Sequence, residues 1–221
     1  MATRIFIVDD HPLVREWLSA LLRKQADLEL CGAAQDATEA LASMLIDPPD
    51  VAIVDISLKS SSGLDLIKDM AEHLPGTQAI VLSMHAEIFY AERALQAGAR
   101  GYVTKEEATD KILEAIRTVQ SGQVFVGAGL LAALTARMAG RPEGSVTDNV
   151  RTLSDRELEV FRRLGKGQTT RQISEELTIS IKTVQAYAGR IKEKLQLSNG
   201  AELVREAVRW VELRPENEKK Y

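Results

Sequence analysis

A chain of 221 residues, 45% hydrophobic and 27% charged, has room for two ordinary domains and enough apolar material for a real core. No apolar run approaches the ~18 residues of a membrane span, Met1-Ala2-Thr3-Arg4 lacks a signal-peptide pattern, and the single cysteine, Cys31, excludes an intramolecular disulfide, so a reducing, cytoplasmic setting is expected. The net charge of -4 divides unevenly: residues 1–150 hold 13 basic and 21 acidic side chains and residues 151–221 hold 15 and 11, which points any polyanion to the second half.

In chain order, Ile5-Phe6-Ile7-Val8 predicts a strand that stops at Asp9-Asp10. Leu13, Trp17, Leu18, Leu21 and Leu22 then recur at helical spacing. Residues 28–33 read as a second strand, and Asp36 is placed to cap a helix running to about Ile46. Residues 51–54 form a third strand ending at Asp55, with a helix from Gly63 to about Leu74. Residues 79–82 form a fourth, ending at Ser83 and followed by a helix over 87–97. Residues 101–104 form a fifth, ending at Lys105, before a helix over 108–119. Five strands each followed by a helix imply a doubly wound parallel sheet covered on both faces, a flavodoxin-like (βα)5 α/β domain over residues 1–121.

Around residues 122–125 the pattern fades. A short apolar helix is expected over 128–138, and residues 140–145 have the composition of a flexible linker, so 122–150 reads as linker. From Leu153 the chain is all helical, over 153–164, 170–177, 181–195 and 201–213, giving a four-helix domain at 151–214 and a frayed tail at 215–221. Ser154 with Glu157 makes a capping box, and Ser180 and Asn199 occupy N-cap positions.

Ligands of a doubly wound sheet bind beyond the carboxyl ends of its strands. Asp9, Asp10, Asp55, Ser83 and Lys105 stand at four such ends and converge on one crevice if the strand order is flavodoxin-like. Packed carboxylates repel unless a hard cation sits among them, and Mg²⁺ with oxygen ligands suits that role. One carboxylate beside a cation and an ammonium group is a nucleophile toward a phosphoryl group. Lys105 would balance charge on the transferred oxygens and Ser83 would donate a hydrogen bond to one of them. His11 and His85 lie near this crevice without metal-ligand spacing and read as ordinary loop residues.

Val8-Asp9-Asp10-His11-Pro12, Val54-Asp55-Ile56, Leu82-Ser83-Met84 and Tyr102-Val103-Thr104-Lys105 resemble the receiver domain of bacterial two-component systems over residues 3–121. The resemblance implies that Asp55 accepts phosphate from a sensor histidine kinase. It implies that Asp10, Asp55 and the backbone carbonyl of Ser57 bind Mg²⁺, with Asp9 assisting through water. Ser83 and Tyr102 match the pair that reorients when phosphate arrives, the hydroxyl toward the phosphoryl group and the ring inward. Lys59 departs from the proline usual in that loop, and Met84 is bulky where small residues are common.

Residues 170–177, the turn Thr178-Ile179-Ser180 and residues 181–195 have the lengths of a helix-turn-helix, with Ile173, Leu177, Ile179, Val184, Ile191 and Leu195 as its core. The pattern alone leaves a structural helical bundle open. The stretch 153–160, with Gly167, Ile173-Ser174, Leu177, 180–184 and 191–195, is similar to the LuxR/NarL/FixJ-type domain, which makes 181–195 the recognition helix. Gln185, Ala186 and Gly189 would then face bases, and Lys182, Thr183, Tyr187, Arg190 and Lys194 would mainly touch phosphates. Tyr187 stands where histidine is usual and Thr178 replaces a turn glycine. The last helix resembles the family's dimerisation helix, with Leu203, Ala207, Val208 and Trp210 as candidates and core packing as the plainer reading. Together these imply a response regulator switched by phosphorylation, no enzyme beyond its own aspartyl phosphorylation and dephosphorylation. Its expected partners are promoter DNA, a sensor histidine kinase, a second copy of the chain when phosphorylated, and RNA polymerase, with no membrane. A phosphohydrolase would instead want an acid/base carboxylate two residues after Asp55, where Ser57 stands, and a ligand-controlled regulator would not need the full acidic set.

Overall fold

The structure, a computed structural model, describes residues 2–58, 61–84, 88–138 and 150–212. Lys59, His85, the 140–145 stretch and residues 213–221 lie outside these. Contacts divide the chain into two units, Met1–Gly140 and Arg141–Tyr221, each described by itself.

In the first unit, strands β1 (Thr3–Val8), β2 (Leu28–Ala34), β3 (Val51–Asp55), β4 (Gln78–Ser83), β5 (Gly101–Thr104) and β6 (Phe125–Val126) form one parallel sheet in the order β2-β1-β3-β4-β5-β6. Helices α1 (Pro12–Leu22), α2 (Ala37–Ile46), α3 (Gly63–His73), α4 (Ile88–Ala97) and α5 (Ala108–Gln120) make the crossovers. Successive side chains of a strand point to opposite faces. Ile5, Ile7, Ile53, Ile80, Leu82 and Val103 therefore line one face, packed with Leu18 and Leu22 of α1 and Ile112 and Ile116 of α5. Phe6, Val8, Val54, Val81 and Tyr102 alternate with them and are equally buried, beneath α2, α3 and α4. Burial on both faces explains why these strands read as unbroken apolar runs rather than alternating ones. The chain leaves β1 outward to β2 and returns across it to β3, and at that reversal the strand ends open a crevice.

The sheet has one strand more than the sequence pattern predicts. Phe125–Val126 pairs with Gly101–Tyr102, and Phe125 joins the core. Two residues are too few for any periodicity to register. Helix α6 (Ala128–Met138) follows and packs against α4, so residues 125–138 belong to the first unit rather than to a bare connection.

The second unit opens with a 3-10 turn, Val150–Thr152, followed by α7 (Asp155–Gly165), α8 (Thr170–Leu177), α9 (Ile181–Lys194) and α10 (Gly200–Glu212). Their starts are set by side-chain caps: Ser154 and Glu157 close a capping box on α7, Thr169 and Gln172 close a second on α8, Ser180 accepts from Thr183 N, and Asn199 accepts from Glu202 N. The second box was not anticipated from sequence. The turn from α8 to α9 passes through Thr178 at φ 55°, the left-handed conformation that the usual glycine would take without strain. Val150, Leu158, Phe161, Ile173, Val184 and Ile191 are fully buried, and Phe161 meets Trp210 edge to face at 5.9 Å. Helices α7 and α10 approach so closely that a Cβ on Gly165 would lie 2.4 Å from the Ala207 carbonyl oxygen.

Candidate functional site

The parallel register delivers the predicted pocket residues to one end of the sheet. Asp9 follows β1, Asp55 closes β3, and Ser83 on β4 pairs with Thr104 on β5, so that Lys105 N donates to the Ser83 carbonyl at 2.7 Å. Asp9 and Asp55 are 1% and 3% exposed and Ser83 is fully buried. Lys105 Nζ lies 2.6 Å from Asp55 Oδ2 and 2.7 Å from Asp9 Oδ2. Ser57 N donates to Asp55 Oδ1 at 3.0 Å, which orients the carboxylate. The Arg15 guanidinium donates to the Asp9 carbonyl at 2.5 Å, tying α1 to the pocket.

Burial pushes the Asp55 carboxyl above its ordinary pKa; Lys105 pulls it down, Asp9 pushes it up, and the net is upward. Burial alone would lower Lys105, but Asp55 and Asp9 outweigh it and hold the ammonium charged. One ligand atom each from Asp9, Asp10, Asp55 and His11 lie within 4.8 Å of one another. Three hard carboxylates at that spacing fit a divalent metal ion, which Asp10, just past β1, and Asp55, at the end of the adjacent β3, could hold.

His11, expected near the crevice as a loop residue, has specific partners there. Its Nδ1 lies 2.8 Å from Asp10 Oδ1 and 3.2 Å from Asp9 Oδ1, and its backbone N–H donates to Asp9 Oδ1 at 2.8 Å. It is a rim residue of the pocket, half exposed, as its expected place near the crevice implies. Its position directly after the paired aspartates was the available signal. The sequence predicts Gly63 only as the start of a helix. A Cβ there would stand 2.0 Å from the Asp55 carbonyl oxygen, so only glycine lets α3 begin against the end of β3. Tyr102 is 1% exposed, with its ring inside the α4 side of the sheet, whereas Met84 projects into solvent beside the pocket.

In the second unit, α9 buries Val184 and Ile191 and turns Lys182, Gln185, Ala186 and Arg190 outward. Thr183, Tyr187 and Gly189 are half-buried at the edges of that face. The Arg190 guanidinium lies 5.9 Å from the Tyr187 ring centre, and the space around Gly189 is open. Lys194 stands apart: its Nζ donates to Glu157 Oε2 at 2.6 Å and to the Thr152 carbonyl at 3.2 Å. Three of the four expected dimerisation residues are occupied within their own domain. Leu203, Ala207 and Trp210 are 3%, 0% and 4% exposed against α7, because α10 turns its apolar stripe inward. Val208 is half-buried, and Val204, Ala201 and Arg205 form the exposed side of that helix. No helix among the described residues is long and apolar enough to cross a membrane.

The family model of the response regulator receiver domain matches residues 5–117, and that of bacterial regulatory proteins of the luxR family matches residues 151–207. The oxygen regulatory protein NreC of Staphylococcus carnosus (strain TM300) is 34% identical over 210 residues, spanning 93% of this chain and 97% of its own length. Among solved structures, RcsB from Salmonella enterica serovar Typhimurium, bound to a promoter in the presence of the phosphomimetic BeF3-, is similar with a TM-score of 0.61 and 25% identity over 94% of this chain and 98% of that one. A LuxR-family two-component response regulator from Aurantimonas sp. SI85-9A1 gives a TM-score of 0.60 and 26% identity, covering 63% of this chain and 100% of its own.

Proposed function

The chain belongs to the two-component response regulators of the NarL/FixJ type, with a receiver and a LuxR-type DNA-binding domain, and from that premise we propose that phosphorylation of Asp55 switches its binding to promoter DNA. The observation that carries this reading is the Lys105 ammonium lodged between Asp55 and Asp9, 2.6 and 2.7 Å away, in a buried acidic pocket. An Asp55 oxygen attacks the phosphorus of a phosphohistidine on a sensor histidine kinase, and the imidazole leaves with the bonding electrons. Lys105 then follows the charge onto the phosphoryl oxygens, and the Ser83 hydroxyl donates to one of them. Asp10, Asp55 and the Ser57 carbonyl would hold Mg²⁺, with Asp9 assisting through water, and the ion would supply charge neutralisation at the same place. The chain is a regulator of transcription whose receiver makes and hydrolyses its own acyl phosphate.

Tyr102 and Ser83 form the switch pair. The inward ring and the buried hydroxyl are the arrangement expected with phosphate bound, and the unphosphorylated chain exchanges it with an outward one. Two phosphorylated copies then present two α9 helices to successive half-sites, as twofold symmetry requires. Lys182, Thr183, Tyr187 and Arg190 contact phosphates, and Gln185 reads a base with Ala186 and Gly189 beside it. The dimer uses the outer side of α10, around Val204 and Val208, since Leu203, Ala207 and Trp210 are core. RNA polymerase is the further partner on the promoter, and the cytoplasm is where the protein works.

Sedimentation velocity of the full chain with Mg²⁺, with and without beryllofluoride, tests this. A shift from monomer to dimer that is absent in Asp55→Asn, accompanied by tighter DNA binding, supports the switch. An Asp55→Asn protein that dimerises and binds DNA like the wild type overturns it.

A further inference from the structure

Lys194 ends the recognition helix, where a cation reaches the backbone of DNA in the simplest reading of the sequence. Its surroundings say otherwise. The ammonium donates to Glu157 Oε2 at 2.6 Å and to the carbonyl of Thr152 at 3.2 Å, which occupies two of its three N–H directions. Glu157 is 3% exposed, and the same Oε2 also accepts from Ser154 N at 2.7 Å as half of the α7 capping box. The carboxylate thus sits in the first turn of α7, at the positive end of that helix, and the ammonium at the negative end of α9. Each charge suits its own helix end, and the pair locks the two ends together. Hydrogen bonds from Lys194 and Ser154 hold the Glu157 carboxyl below its ordinary pKa despite burial.

We infer that Lys194 is a positioning residue for DNA recognition, which clamps the C-terminal turn of the recognition helix to the α7 cap and to the turn at Thr152, and is not itself a phosphate contact. Leaving for a phosphate would strand a buried carboxylate without its cation. Holding the clamp fixes the tilt of α9, whose buried Ile191, one turn before Lys194, acts as the pivot. Gln185 lies six residues, about 9 Å, from Ile191 along the helix axis. A tilt of about 6° moves it by about 1 Å, enough to spoil a hydrogen bond to a base edge. This inference rests on the DNA-binding reading of α9, and the test separates the two.

The full chain is assayed for DNA affinity over a range of salt concentrations, with Lys194→Met, Lys194→Arg, Glu157→Gln and Lys182→Met. A lost phosphate contact lowers the slope of log K against log salt by about 0.9, and Lys182→Met serves as that standard. A positioning residue lowers affinity about tenfold, in the range of mutations that act through a network, at every salt concentration and with the wild-type slope. Lys194→Met and Glu157→Gln should both do this, and Lys194→Arg should recover most of the loss. Hydrogen exchange without DNA should show weakened protection at the C-terminal turn of α9 in Lys194→Met, with α8 unchanged. A slope reduced by about 0.9 in Lys194→Met, or wild-type affinity in both Lys194→Met and Glu157→Gln, overturns the inference. If the wild type binds no DNA, the reading of α9 fails while the exchange comparison still decides the clamp: protection unchanged in Lys194→Met rejects it.

Discussion

Gly63→Ala should dismantle the acidic pocket although it adds one methyl group to a helix start. The backbone of Gly63 has no positive φ, so alanine meets no conformational objection and would gain about 0.4–1 kcal/mol by restricting the unfolded chain. Space decides against it. The new Cβ would lie 2.0 Å from the Asp55 carbonyl oxygen and 2.9 Å from Asp55 C and Ile56 Cα, all backbone atoms of the β3 end. Reaching even 3.0 Å demands about 1 Å of movement between α3 and β3 in a close-packed interior. Overpacking of this kind costs about 3 kcal/mol, leaving a net loss of about 2 kcal/mol and a fall in Tm near 8 °C for a domain of this size. The displaced group carries Asp55, so beryllofluoride should no longer stabilise the domain. The assay is thermal unfolding followed through Trp17, which packs against the first unit's core, in a Trp210→Phe background with and without beryllofluoride and Mg²⁺. A Gly63→Ala protein melting within about 1 °C of its parent, and still stabilised by beryllofluoride, would refute the reasoning.

Lys105→Met leaves the buried Asp9 and Asp55 facing each other without their ammonium, and should cost the first unit about 3–5 kcal/mol in urea unfolding. Asp55→Asn should do the opposite in metal-free protein above neutral pH: a folded pKa raised by burial means the ionised carboxyl opposes folding, so its removal raises Tm. Thr178→Gly relieves a left-handed φ of 55° and should stabilise the second unit by about 1 kcal/mol, read from Trp210 fluorescence. Glu157 has a folded pKa below its ordinary 4.5, so its contribution is complete above that value and is lost as pH falls through the lower folded value. Glu157→Gln should accordingly flatten the acid side of the second unit's stability curve, and an unchanged curve would reject the pairing.

Much of this molecule is written in apolar spacing. The five long strands were legible because both faces of the sheet are buried, and Asp9, Asp10, Asp55, Ser83 and Lys105 were legible because they interrupt those runs at one end. What escaped is what spacing cannot express. Strand β6 is two residues long and is made by its partner Gly101–Tyr102 rather than by its own composition. Gly63 is required by a neighbour that lies next to it only after β3 and α3 have met. On α10 the stripe of Leu203, Ala207 and Trp210 announces a contact surface, but periodicity does not say whether the same chain or a second one covers it. Here Phe161 and the bare backbone of Gly165 do so from within.

Charge was harder to read than apolarity, and for one reason. A charged residue in sequence is a solvated one until burial gives it a fixed partner. Lys105 and Lys194 carry the same group, and each meets a carboxylate at 2.6 Å, yet the consequences diverge. Lys105 faces two carboxylates with Asp10 and His11 beside them, so the pocket keeps more negative than positive charge and gains stability from whatever cation or phosphoryl group completes it. Lys194 faces one carboxylate that a helix N-terminus already stabilises, so the charges of its pair balance. An incomplete charge balance is what the proposed phosphorylation of the receiver pocket would use, and a complete one is what the proposed clamp at the end of α9 requires.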